Sequence, residues 1–380
     1  MAGPELPRRP RLRPYLDVVP LGDDRLLFLG GGQSVVLRGA AVQEVLPALL
    51  SRLNGRQTID DIARGLPWID DAVVVQAVAL FSSHGLLEDA AVEPPSALNG
   101  DAERYGHQTS YWLSVAPDRY APQSKLHDAT VAIVGLGGVG TALAMSLAGS
   151  GIGRLILADP MCVAPSDALF GYAPASAGTT RATALCDRLG SGDGRVAATA
   201  VEPHEETLEP ADVLVFCGDA TSIGASDSAS ASSCRLLNDL SISTGTPWLR
   251  ASVDHDEGFV GPCVIPGDTA CFECFRLRLK SNFTADAIAH DSHASTNGGR
   301  PRDGTALLAP FATLVAQHAA LEVIKIVTGF ATPVTAGALL TLGLVSGDSS
   351  RHAVLKLPRC PACGPARDRP QMRVWDLKPG

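Results

Sequence analysis

The run from Ala129 to Ala148 limits the fold more than any other stretch of this chain. Ala129–Val134 is a β-prone apolar segment. Gly135-x-Gly137-Gly138-x-Gly140 follows, and small and large apolar residues then recur at helical spacing. The order reads strand, tight turn, helix. A second short strand, Arg154–Asp159, ends in an acid 19 residues after Gly140, close to the spacing at which a carboxylate meets a ribose hydroxyl. The segment therefore predicts half of a βαβ nucleotide-binding unit in a doubly wound α/β sheet. The competing reading is a glycine-tolerant turn that binds nothing.

At 380 residues the chain is long enough for two or more domains. Hydrophobic residues make up 46% and charged ones 19%, which supports real cores and excludes wholesale disorder. A net charge of −9 argues against a nucleic-acid partner. No apolar run in the sequence approaches the roughly 20 residues that span a bilayer, and the Arg- and Pro-rich start lacks a signal-peptide core. A cytoplasmic protein without a membrane partner is expected. Nine cysteines in a reducing compartment point to metal binding or core packing rather than disulfides.

Residues 1–13, with Arg8, Arg9, Arg11 and Arg13 among prolines, read as a flexible tail. Residues 14–90 read as a small separate domain. Tyr15–Val19, Arg25–Leu29 and Ser34–Leu37 are β-prone runs, and helical signals follow around Val42–Leu50, from Thr58, and over Ala72–Ser83 behind Asp70. Three strands then three helices suit a winged-helix-like α+β module. Asp60, Asp61, Asp70 and Asp71 place acid at the helix starts, so no basic helix is available for a DNA groove. Peptide binding fits better: Ser34, Val35, Val36 and Leu37 would accept an added strand, with Val75, Gln76 and Leu80 lining the groove. Plain core packing is the competing reading for each of them. Residues 91–124 read as a linker containing one short helix, Asp101–Leu113, and residues 125–380 as the large domain.

In that domain Met161–Ala177 is expected to be loop and Thr179–Leu189 helix. Strands are expected at Arg195–Val201, Val213–Cys217, Trp248–Val253, Gly258–Val264, Ala336–Leu344 and Ala353–Leu357. Ser222–Ser233 and Ser281–Arg302 read as flexible, Leu236–Ser243 and Leu307–Thr328 as helices. Cys271-Phe-Glu-Cys274 and Cys360-Pro-Ala-Cys363 are two C-x-x-C knuckles with 85 residues between them. Tetrahedral zinc takes four thiolates, and each tight turn offers two. Four protein ligands leave no open position, so the metal would be structural. A redox C-x-x-C would not need a second copy. Cys162, Cys186, Cys217, Cys234 and Cys263 read as small buried apolar residues, with a nucleophile among them the minor alternative.

The glycine turn, an acid at Asp219 and the paired C-x-x-C resemble the E1-like superfamily that includes the ThiF and MoeB adenylating enzymes. The likeness covers about residues 120–365 and implies a Rossmann-type sheet with a four-cysteine zinc site. The first 90 residues resemble the PqqD-type element that holds leader peptides of ribosomally made, modified peptides. In that order the two parts resemble ocin-ThiF-like proteins, which work beside a YcaO cyclodehydratase in thiazole/oxazole and thiopeptide pathways. The resemblance places Gly135, Gly137, Gly138, Gly140 and Asp159 on phosphate and ribose positions, Arg181 near a phosphate-contacting lysine, and Asp219 on a magnesium-side aspartate. Two features depart from it. Met161 stands where the family has a second acid, and Ser166–Gly171 lacks the arginine that offsets triphosphate charge, with no basic residue between Arg154 and Arg181.

Adenylyl transfer depends on positioning and charge neutralisation. Losing that arginine implies a retained fold with lost catalysis. Two functions from different classes follow. One is a non-catalytic protein, a homodimer, that binds a leader peptide and presents it to a partner YcaO enzyme. The other is an active adenylating enzyme using ATP and Mg2+ on a peptide carboxylate. A nicotinamide-dependent dehydrogenase would explain the glycines but neither the four cysteines nor the N-terminal module.

Overall fold

The computed structural model describes residues 6–98, 100–116, 118–192, 195–218, 229–282 and 307–364. The chain divides into two compact units, Met1–Ser124 and Lys125–Gly380.

In the first unit β1 (Pro10–Leu12) leads into a three-stranded antiparallel sheet of β2 (Asp17–Pro20), β3 (Arg25–Gly30) and β4 (Gln33–Arg38). Helices α1 (Ala41–Glu44), α2 (Leu46–Arg52), α3 (Ile59–Arg64) and α4 (Asp71–Ser83) follow, then β5 (Leu87–Asp89) and α5 (Gly106–Val115). Local chemistry sets the helix starts. Thr58 and Asp61 form a reciprocal capping box at α3, and Asp70 accepts the Ala72 N–H at α4. Phe28 on β3 meets Phe81 on α4 edge-to-face at 5.6 Å between ring centres, inside a core with Leu26, Leu49, Ile62, Val74 and Val78.

The expected tail is ordered from Leu6. β1 pairs antiparallel with β5, Arg11↔Glu88, and the Arg8 and Arg9 amides donate to the Asp89 carboxylate at 2.9 and 3.0 Å. Burial raises the Asp89 pKa, but the Arg9, Ala91 and Arg8 N–H groups outweigh it, leaving the carboxyl below its ordinary value. The expected linker also has structure, since α5 buries Trp112 and Leu113.

The second unit opens with α6 (Ala121–Asp128), whose first four residues belong to the first unit. It continues with β6 (Thr130–Val134), α7 (Gly138–Gly149), β7 (Arg154–Ala158), α8 (Arg181–Gly190), β8 (Ala197–Val201), α9 (Glu205–Leu208), β9 (Val213–Cys217), α10 (Ala229–Thr244), β10 (Trp248–Asp254), β11 (Glu257–Val260), α11 (Phe272–Asn282), α12 (Ala309–Thr328), β12 (Ala338–Gly343) and β13 (Ser349–Ala353). One eight-stranded sheet has the order β13-β12-β11-β10-β9-β6-β7-β8. The five strands from β10 to β8 are parallel, and β11, β12 and β13 add antiparallel. The strand order reverses between β6 and β9, the place where open α/β sheets bind ligands.

Four expectations change. Met161–Ala177 contains 3₁₀ turns at Pro165–Phe170 and Pro174–Ser176. α10 begins at Ala229, inside the Ser/Ala stretch read as loop, because alanine is the best helix former. β13 falls earlier than expected and is exposed along its whole length, so no apolar alternation marked it. α12 is long and apolar enough by composition to cross a membrane, against the expectation of no such run. In this fold it packs on α7 and buries Ala312, Val315, Ala316, Ala319, Ala320 and Val323.

Candidate functional site

Each thiol pair comes from its own segment: Cys271 and Cys274 from the start of α11, Cys360 and Cys363 from the turn after β13. The Sγ atoms lie 3.8 Å apart for Cys271–Cys274, 3.5 Å for Cys271–Cys360 and 3.6 Å for Cys274–Cys363, and all four fall within 4.8 Å of one another. A tetrahedral zinc with bonds of about 2.3 Å separates its sulfurs by about 3.8 Å. The donor set fits the metal. Asn238 of α10 accepts the Phe272 N–H at 2.8 Å, and the Leu357 N–H points at Cys274 Sγ at 3.3 Å. Burial pushes the Cys274 thiol up to about 11 and Cys271 higher still. At Cys360 burial also raises the pKa, but N–H groups of Cys363 and Ala362 outweigh it and favour the thiolate. Trp248, Phe272 and Phe275 pack around the cluster, so the metal would staple α11 to the chain beyond β13.

The glycine turn forms as expected between β6 and α7. Gly135 has φ +91°, and a Cβ there would lie 2.1 Å from the Cys217 carbonyl; one at Gly140 would lie 1.9 Å from the Gly135 carbonyl. Both glycines are therefore demanded by backbone crossing backbone. Gly137 has open space on its Cβ side, whereas a Cβ on Gly138 would strike the Phe170 ring at 2.5 Å. Phe170, which ends the first 3₁₀ turn, thus lies over the start of α7.

Asp159, the residue after β7, is buried, with Oδ2 accepting the Leu136 N–H at 2.7 Å and Oδ1 the Met161 N–H at 2.9 Å. Arg181, at the start of α8, sends Nε and Nη2 to the two oxygens of Asp167, each at 2.9 Å, and its Nη1 lies 3.6 Å from Asp159. Burial lowers the Arg181 pKa, but the two carboxylates outweigh it and hold the guanidinium charged. Tyr172 donates to the Leu136 carbonyl at 2.8 Å, and burial pushes its phenol up to about 12. Among the described residues the Arg181 guanidinium is thus already engaged by two carboxylates, and Arg188 donates to the Phe170 and Gly171 carbonyls at 3.3 and 3.0 Å. Asp219 lies outside the described residues.

Nothing in the sequence pattern singles out Asp167, Phe170 or Tyr172, which lie in the Met161–Ala177 stretch, where no periodicity marks them. Of the lone cysteines, Cys217, Cys234 and Cys263 are buried as expected and Cys186 is half-buried, while Cys162 is exposed. Burial pushes Cys217 and Cys263 up to about 12 and Cys234 and Cys186 to about 11, which disfavours a nucleophile.

In the first unit the expected peptide residues divide. β4 has only β3 as a neighbour, so its other edge is unpaired among the described residues. Val35 pairs with Phe28 and Leu37 with Leu26, so both face the α4 side; Ser34 and Val36 face outward with Leu29. On α4 successive residues turn by about 100°, and Val74, Val78 and Phe81 face the core. Val75 then shares a flank with Ser82, which borders a cleft of about 590 Å³ beside Leu87 and Glu88. Leu80 lies with Val73 on the opposite flank, both exposed, and Gln76 is on the outer face.

Over 256 residues the chain is 27% identical to the sulfur carrier protein ThiS adenylyltransferase of Escherichia coli, covering 64% of this chain and 88% of that protein. It is 27% identical over 244 residues to protein HesA of Leptolyngbya boryana, covering 64% and 79%. Among solved structures, Escherichia coli MccB with MccA-N7isoASN superposes with TM-score 0.69 at 18% identity, covering 94% of this chain and 99% of that one. The heterocyclase TruD superposes with TM-score 0.63 at 17% identity over 94% of this chain and 43% of that one. The sequence profile of the ThiF family matches residues 108–362, and the chain belongs to that family.

Proposed function

We propose that this protein binds the leader segment of a ribosomally made precursor peptide through its first unit and presents the peptide to a partner YcaO cyclodehydratase for azoline formation. The observation that carries the reading is the unpaired edge of β4, whose Val35 and Leu37 pack on the core shared with α4, a helix that leaves Val73 and Leu80 exposed. An extended peptide gains main-chain hydrogen bonds along such an edge and side-chain pockets from the helix flank. The groove we assign runs between β4, with Val35 and Leu37 beneath it, and the Val73/Leu80 flank of α4.

The likeness to MccB, which has been solved with N-formylated MccA, and to the heterocyclase TruD supports a role in peptide modification. The Arg181–Asp167 pair and the missing arginine of Ser166–Gly171 support a body that does not adenylate by itself. Family membership favours the second reading, an adenylyltransferase acting on a peptide carboxylate with ATP and Mg2+.

Fluorescence anisotropy with a labelled leader peptide tests the first reading. A V73E/L80E double variant is expected to lose at least tenfold in affinity, V75E much less, since both sets are exposed and folding is spared. A larger loss with V75E would move the groove to the other flank, and no loss in either would sink it. Pyrophosphate exchange by the purified chain with precursor and ATP would promote the second reading.

A further inference from the structure

β10, whose Trp248 also borders the cysteine cluster, carries an arginine with no counterion among the described residues. Arg250 is 1% exposed. Its Nη2 donates to the Ser252 hydroxyl at 3.1 Å, while Nε and Nη1 are buried without a partner there. Burial pulls the Arg250 pKa down, and the Cys234 thiol is the one group whose charge offsets that; no carboxylate among the described residues does. Trp248, two residues earlier on the same face of the strand, also buries an indole nitrogen without an acceptor. Among the described residues, three donor nitrogens on one face of β10 thus have nothing to donate to.

Their place in the sheet matters. Arg250 is in register with Phe216 of the parallel neighbour β9, one residue short of the end of that strand at Cys217. Ligands of open parallel sheets bind at the carboxyl ends of the strands. A buried guanidinium without a partner is among the costliest groups a fold can keep, and donors alone ask for an anion.

We propose that Arg250 anchors a carboxylate-binding site in the second unit, distinct from the glycine turn, whose ligand is a monoanion borne by a small organic acid or by a peptide. One cation decides the charge. Phe216 and Cys234 are buried on this side of the sheet, so a carboxylate brings the site to neutrality whereas a phosphate dianion would leave an uncompensated buried charge. The planar guanidinium matches a planar carboxylate, and the Trp248 N–H supplies a neutral donor.

Thermal melting of the full-length protein at fixed ionic strength tests this. The probes are acetate, a short acetylated peptide with a free C-terminus, the same peptide amidated, and inorganic phosphate. Incubation must be long, because a group 1% exposed is reached only through local opening. The free-carboxylate probes are expected to raise the melting temperature by about 5 °C or more near a hundred times their dissociation constant, and the amide not at all. A larger rise with the peptide than with acetate assigns a peptide ligand; equal rises assign a small acid. Arg250→Met should abolish the response while melting no lower than the parent without ligand, and Arg250→Lys should keep part of it. Silence toward both carboxylates, or a larger rise with phosphate, would overturn the proposal. So would an Arg250→Met protein that melts well below the parent, since the partner would then lie within the chain.

Discussion

The second unit holds two preformed arrangements that treat their donor atoms in opposite ways. Around the four cysteines, sulfurs from segments 89 residues apart converge to 3.5 and 3.6 Å, and among the described residues no other group satisfies them all. At the glycine turn, Asp159 is held by two amides, Arg181 by Asp167, and Phe170 covers Gly138. The first arrangement offers four sulfurs that could hold a metal. In the second, the polar side chains named here already have partners among the described residues. Inherited geometry therefore says less about a ligand than whether the polar atoms facing its place already have partners.

The largest effect that could break this contrast is at Cys360. Elemental analysis should find about one zinc per chain, and Cys360→Ser should lose the metal and lower the melting temperature by more than about 10 °C, since structural zinc contributes on the order of 10 kcal/mol to folding. If the protein carries no metal and the variant melts normally, the cysteines are as self-sufficient as the glycine turn.

Second in size is Arg181→Ala. Removing one partner of a largely buried pair costs about 3 kcal/mol or more, because Asp167 is left buried and charged. Urea denaturation should show that loss. A change below about 1 kcal/mol would mean that the clip does not hold the turn together.

The smallest effect sharpens the comparison most. Asp167→Asn should cost about 1–2 kcal/mol yet release Arg181, and titration with a fluorescent ATP analogue should detect binding that the parent lacks. Parent binding as tight as the variant's would show that Asp167 does not compete for the arginine. If Asp167→Asn stays silent, adding Phe170→Ala distinguishes steric cover from charge.

What the sequence could reveal follows the distance between cause and effect. The C-x-x-C pairs and the strand-turn-helix of Ala129–Ala148 announce themselves because their determinants are a few residues apart. The Thr58 and Asp70 caps are legible for the same reason. β1 was illegible, since its pairing rests on β5 and on an Arg11–Glu88 ion pair between residues 77 apart. The fate of Arg181 was illegible too: its lack of an arginine neighbour was plain, but the 3₁₀ turn that delivers Asp167 has no periodicity to find. The opposite flanks of Val75 and Leu80 could have been read from helical geometry alone.

The spacing of the four cysteines also sets an order of events during synthesis. Cys274 leaves the ribosome with its sulfur exposed, and its partner Cys363 follows 89 residues later, roughly 4 to 18 s at translation rates of about 5–20 residues per second. Throughout that interval α11 has only half of its anchor. Closure of this corner of the second unit is thus a late event, open to oxidation or to a competing soft metal until the second knuckle arrives.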